Sequence, residues 1–163
     1  MKVGIVSDTH DNGGIVERAV GTFEQEDVDA VIHCGDIVAP FSATPFESGF
    51  DFYAVRGNND GEWALERTVG GFGTYLGEMG ELTLGDVEFA VYHGTSEPIV
   101  DALLECGTYD YVCRGHTHER INERRGETVH LNPGGIPIPD APEDPAAIVL
   151  DTETGDVEFH DLG

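Results

Sequence analysis

Short apolar runs that stop abruptly at polar residues set the pattern of the first third of the chain. Lys2 to Val6 is one such run and ends at Ser7-Asp8; Gly14 to Glu26 then carries Ile15, Val16, Ala19, Val20 and Phe23 at helical spacing. The pattern predicts a strand, a loop and a helix. A second strand is predicted over Ala30 to His33, ending at Cys34-Gly35-Asp36, then a short helix over Pro40 to Phe50. A third strand over Asp51 to Val55 ends at Gly57-Asn58-Asn59-Asp60. Three strands thus each deliver polar residues at their C-terminal ends, where ligands collect in open α/β sheets.

The second half reads differently. Gly70 to Gly80 holds five glycines and is predicted to be a flexible connection, followed by strands near Glu81 to Leu84 and over Val87 to Tyr92, the latter ending at His93-Gly94. A helix is expected over Pro98 to Glu105. Tyr109 to Arg114 reads as a strand leading into Gly115-His116-Thr117-His118. Beyond it, Arg120 to Arg124, Thr128 to Leu131, Ala146 to Asp151 and Val157 to His160 read as antiparallel strands, with a loop over Pro133 to Pro145. With no repeat and no linker, the expectation is an α/β fold of two sheets sharing one core with helices outside, one domain over residues 1–163.

Composition supports a compact domain: 163 residues with 39% hydrophobic content. Three cysteines without finger or redox spacing, and no charged N-terminal segment leading into an apolar stretch, predict an intracellular protein with reduced thiols. No apolar run approaches the roughly 20 residues that span a bilayer. The charge balance is extreme, 32 Asp plus Glu against 8 Lys plus Arg, for a formal charge of -24. At ~1 M salt the Debye length falls to about 3 Å and the resulting self-repulsion largely disappears, so a high-salt cytoplasm is expected. The same charge argues against a nucleic-acid groove, which needs Lys and Arg on phosphates. A homo-oligomer stays open.

The candidate chemistry lies in five short motifs: Asp8-Thr9-His10, Gly35-Asp36, Gly57-Asn58, His93-Gly94 and Gly115-His116-Thr117-His118. No packing argument needs two Asp, one Asn and four His at loop positions after apolar runs. A pair of divalent ions does, because each takes several N or O ligands and one carboxylate can bridge the two. Taken singly, Asp8 reads as a helix cap and Asp36, Asn58 and Asn59 as turn residues; it is the combination that favours metal. His33, His130 and His160, within or beside strands, read as structural or surface histidines with satisfied partners, and Cys34 as core packing. Imidazole, carboxylate and amide oxygen suit Mn, Fe, Ni or Zn, with Mn preferred, and the absence of Cys ligands disfavours a structural zinc site.

In order and spacing these motifs, with Arg56-Gly57-Asn58 and Leu131-Asn132-Pro133-Gly134, resemble the calcineurin-like metallophosphoesterase superfamily and its small phosphodiesterase branch, the YfcE/MJ0936 type. The resemblance implies a two-sheet αββα sandwich and a metal-dependent phosphodiesterase. It assigns Asp8, His10 and His118 to one ion and Asn58, His93 and His116 to the other, with Asp36 between them. Asp60 is expected to orient Asn58 or His10 from behind, and Asn132 to support the site. Catalysis would rest on Asp36, Asn58 and His93 and on solvent whose pKa the ions lower from ~15.7 towards ~7. The substrate implied is a small phosphodiester, with phosphomonoesters next.

Two departures from the family pattern stand out. Asn59 occupies the position after the ligand Asn, where many members carry a His suited to protonating a leaving group, so aryl oxides are the favoured leaving groups. No basic residue follows Asn132-Pro133-Gly134-Gly135-Ile136-Pro137, so that loop lacks the expected phosphate contact. The alternatives are a protein-binding scaffold of the same fold, which loss of ligands would mark, and a nuclease, which a basic groove would mark.

Overall fold

A computed structural model of the chain describes residues 1–61 and 63–163. Two sheets face each other. In the first sheet, β1 (Lys2–Val6), β2 (Ala30–His33), β3 (Asp51–Val55) and β4 (Thr74–Gly77) run parallel. The hairpin of β10 (Ala146–Asp151) and β11 (Val157–Asp161) adds antiparallel to β1. The second sheet has the order β5 (Met79–Leu84), β6 (Val87–Tyr92), β7 (Tyr111–Cys113), β9 (Thr128–Pro133), β8 (Arg120–Arg125), with β6, β7 and β9 parallel. The first sheet therefore contains four parallel strands and the second three, and β1, β2, β3, β6 and β7 each end in a loop that carries polar residues.

Alternation along the strands sends side chains to two layers. Val3, Ile5, Ala30, Ile32 and Val55 meet Phe89, Val91, Tyr111, Cys113 and Leu131 of the opposite sheet, which makes the shared core. The other face of the first sheet, including Val31, Phe52 and Ala54, packs under α1 (Gly13–Gln25) through Ile15, Val16, Ala19 and Phe23. The outer face of the second sheet packs under α4 (Glu97–Glu105) through Val100 and Leu104. Helices outside two facing sheets is the expected αββα arrangement.

The structure departs from the local expectations at four places. The helix expected over Pro40 to Phe50 is only α2 (Pro40–Ala43) continued by one 3-10 turn over Thr44–Phe46; Pro45 follows within the segment and β3 begins at Asp51. The glycine-rich stretch is not a flexible connection: it contains β4 and the start of β5, and Gly80 leaves the space into which Leu76 packs. A further helix, α3 (Trp63–Val69), precedes it where none was expected. The strands after the His116 loop also divide: β8 and β9 stay in the second sheet, whereas β10 and β11 cross to the first, beside β1.

Candidate metal centre

The C-terminal ends of β1, β2 and β3 from one sheet and of β6 and β7 from the other point to one place. There Asp8, His10, Asp36, Asn58, His93, His116 and His118 come together. Asp36 Oδ2 lies 3.4 Å from Nε2 of His10 and 3.4 Å from Nε2 of His93. Asp8 Oδ1 lies 3.2 Å from His118 Nε2 and 3.7 Å from His10 Nε2. Asn58 Oδ1 lies 3.0 Å from His93 Nε2 and 3.0 Å from His116 Nδ1. Two ligand-like groupings follow, Asp8 with His10 and His118, and Asp8 with Asp36 and His93, each with its candidate atoms within 4.8 Å. Asp36 touches both sets of histidines.

The hydrogen bonds behind the histidines decide what faces the centre. His93 Nδ1 sits 2.7 Å from the Cys34 carbonyl and His118 Nδ1 2.6 Å from that of Ile136. A carbonyl only accepts, so both Nδ1 atoms carry the proton and both Nε2 lone pairs turn inward, as metal-binding imidazoles require. They face oxygens that are themselves lone-pair donors. Asp8 Oδ1 and His10 Nε2, buried in the same place, make no hydrogen bond among the described residues. Converging lone pairs without protons between them repel, and a cation relieves this. The donor set therefore fits divalent metal.

Electrostatics agree. Burial pushes the Asp8 carboxyl up, but the neighbouring imidazoles of His10, His118 and His93 and the Ser7 hydroxyl outweigh it and hold the group well below the usual carboxylate range. Asp36 is lowered as well: burial opposes, and His93 and Asn59 prevail. Burial lowers His93 and His118, yet the carboxylates of Asp36 and Asp8 raise both above the ordinary histidine value. His116 is lowered, by burial first and then by His93. The centre holds two ionised carboxylates and attracts positive charge.

The backbone is contorted here. Asp8 (φ 51°), His10 (φ 42°), Asp36 (φ 58°), His116 (φ 66°) and His118 (φ 60°) are all left-handed, a conformation that Asp and His tolerate better than most residues but that still costs free energy. Asp8 and His10 thus converge through left-handed turns, not through the alternation of an extended segment. Close approach also demands glycine: a Cβ on Gly57 would collide with Asp36, and one on Gly115 with Ser7 and Asp8.

Several supporting residues lie elsewhere than the motifs suggest. Asp60 hydrogen-bonds neither Asn58 nor His10 among the described contacts. Its carboxylate instead accepts from the backbone N–H groups of Asp36 (3.0 Å), Val38 (2.7 Å) and Gly57 (2.7 Å), tying two loops together. Asn59 gives both its backbone N–H and its side-chain amide to Asp36, at 2.8 Å each. Asn132 Nδ2 donates to Gly115 O and Thr117 Oγ1. The loop lacking a basic residue serves through its backbone, since Ile136 N donates to Asp8 O while Ile136 O accepts from His118; no side-chain signal could have shown this. His33 is buried against Thr9. His130 departs from expectation, because both its ring nitrogens are buried without a hydrogen bond among the described residues.

Comparison with known proteins comes to the same place. The pattern of the calcineurin-like phosphoesterase superfamily domain matches residues 1–155. Phosphodiesterase MJ0936 of Methanocaldococcus jannaschii is 35% identical over 141 residues, covering 82% of this chain and 83% of the relative. Phosphodiesterase YfcE of Escherichia coli K12 is 28% identical over 154 residues, covering 85% and 81%. The solved structure of an archaeal phosphodiesterase superposes with a TM-score of 0.90 at 32% identity, covering 99% of both chains. Zinc-complexed Vps29 of Entamoeba histolytica, at 17% identity and a TM-score of 0.74 over 100% of both chains, shares the fold.

Proposed function

The chain belongs to the calcineurin-like phosphoesterase superfamily and is a hydrolase of its phosphodiesterase kind, and from that premise we propose that it hydrolyses small phosphodiesters, with phosphomonoesters as secondary substrates and two divalent metal ions as cofactors. The observation that carries the two-ion reading is Asp36, whose one oxygen faces His10 and His93 at equal distance.

In this reading Asp8, His10 and His118 would hold one ion, and Asn58, His93 and His116 the other, with Asp36 within reach of both. When bound, the ions supply Lewis acidity and lower the pKa of attacking water towards ~7. The chain's own residues fix geometry. Cys34 O and Ile136 O lock the His93 and His118 rings, and the two Asn59 bonds hold the Asp36 carboxylate in place. Ser7 Oγ donates to Asp8 at 2.6 Å and so is not a free nucleophile. Asn59 has no acidic proton to give a leaving group, which favours aryl and other stable oxyanions. Mn is the ion proposed, with Ni, Fe and Zn, which imidazole also suits, as alternatives; the buried thiol of Cys34, its pKa raised by desolvation, stays out of it.

Substrate size follows from charge. Each of the eight basic side chains has a partner inside the protein: Lys2 with Glu26, Arg18 with Leu162 O, Arg56 with Glu78, Arg67 with the Trp63 ring, Arg114 with Glu97, Arg120 with Asp161, Arg124 with Glu127 O and Arg125 with Asp101. A surface of formal charge -24 with its cations engaged repels polyanions. The proposal therefore takes small diesters over nucleic acid, in a high-salt cytoplasm.

The direct test is hydrolysis of bis-p-nitrophenyl phosphate in molar KCl. Turnover is expected to need added Mn, to vanish with EDTA and to return when Mn is restored, and Asp36→Ala is expected to remove nearly all of it. Activity that survives chelation would overturn the proposal.

A further inference from the structure

The outer face of the second sheet holds a charged cluster that the proposed reaction leaves unused. Arg114, directly after β7, is 2% exposed and is the largest fully buried side chain among the described residues. A guanidinium sits that deep at acceptable cost only when its donors and charge are met. Nη2 donates to Gly94 O at 2.8 Å and pairs with Glu97 Oε1 at 2.7 Å, while Nε donates to Gly115 O at 3.3 Å. Gly94 follows His93, and Gly115 precedes His116. One planar group is thus fastened to both loops that present these two histidines, and the loops also join directly through Gly115 N to His93 O at 3.0 Å. A Cβ on Gly94 would lie 2.6 Å from Arg114 Nε, so the close approach needs glycine at that position.

The charges around the clamp balance. Glu97 reaches Arg114 from the first turn of α4, and its carboxyl is lowered chiefly by that contact. His130 is buried on the same face; desolvation, then Arg114 and Arg125, push its pKa down to about 4, so at neutral pH it adds no second cation. The Arg114–Glu97 pair is nearly neutral towards the centre behind which it lies.

We propose that Arg114, balanced by Glu97, is a positioning residue that sets the affinity of the ion position formed by Asn58, His93 and His116, and leaves the position formed by Asp8, His10 and His118 unchanged. This rests on the two-ion reading above. Replacing Arg114 frees Gly94 O and removes the one donor that links it to Gly115 O, which keeps its bonds from Asn132 Nδ2 and Thr117 N, so the tie between the two loops loosens. Replacing Glu97 by its amide keeps the shape but leaves an unbalanced buried cation beside a site that must accept a divalent one. Lys at 114, a point charge on a flexible stem, lacks the fork that spans both carbonyls.

The test is calorimetric titration of the full chain with MnCl2, with thermal melting followed in parallel. Wild type is expected to bind two ions. Arg114→Met, Arg114→Lys and Glu97→Gln should each retain one ion at wild-type affinity and bind the other about 10- to 100-fold more weakly, the range typical when partners behind metal ligands are removed. Glu97→Gln, at an exposed side chain, carries the test if the Arg114 variants fail to fold. Two ions at wild-type affinity in Glu97→Gln, or equal weakening of both ions in a variant that melts normally, would overturn the inference alone. Fewer than two ions in wild type would overturn the two-ion reading and the inference together.

Discussion

Asp36 is held from behind by the two Asn59 donors and His93 by Cys34 O, whereas Asn58 meets the His93 and His116 rings. The residue identities were legible in the sequence because seven potential ligands at loop positions have no packing explanation. Their outer partners were not: Cys34 O, Ile136 O and the two Asn59 donors act through groups that every residue carries or through a contact between distant loops. Asp60 illustrates the limit, since a carboxylate after Asn58-Asn59 reads as an orienting partner of the ligands, yet it binds three backbone N–H groups. His130 gives a residue-scale prediction. Its folded pKa of about 4 lies below the ordinary 6.5, so the unfolded chain binds the extra proton between these values and stability is lost as pH falls from 6.5 towards 4. Urea unfolding of His130→Ala, compared with wild type, should show a shallower loss across that window, by up to ~1.4 kcal/mol per pH unit. Some slope remains because His33, at about 3, acts in the same direction. Metal binding and turnover should persist. A His130→Ala protein as acid-sensitive as wild type, or one stripped of metal, would contradict this.

Among the elements, those with a strong apolar period were readable and those defined by neighbours were not. β1, β2, β3 and β6 announce themselves as apolar runs closed by Gly, Asn, Asp or His. β4 has no fully buried residue and so carries no such signature; it exists because β3 offers a parallel edge. α3 buries only Leu65 and Val69, too short a stripe to stand out. The division of the last four strands between sheets is likewise a long-range matter, fixed by β10 pairing with β1. The core between the sheets holds the two sets of ligand loops at a common distance. Phe89 is fully buried there and stacks on Tyr111 at 5.2 Å. Phe89→Ala should lose about 3–5 kcal/mol of unfolding free energy in a denaturant titration. A loss under ~1 kcal/mol would mean that the layer is not the cohesive core described.

For the whole molecule, the governing quantity is a formal charge of -24 over 163 residues. Ion pairs such as Arg120–Asp161 and Arg125–Asp101 engage the few cations, and the surplus carboxylates repel one another across the surface. Screening at ~1 M salt shortens the reach of that repulsion to about 3 Å, so the melting temperature should rise steadily from dilute buffer to molar KCl. No rise would refute the high-salt reading while leaving the chemistry intact. Inside this acidic shell the centre still needs positive charge, which the account assigns to a pair of ions straddling Asp36. Anomalous diffraction at the manganese edge from a Mn-loaded crystal measures that assignment directly. The account predicts two peaks about 3.5–4 Å apart, one among Asp8, His10 and His118, the other among Asn58, His93 and His116. A single peak, or a pair that does not share Asp36, would contradict it.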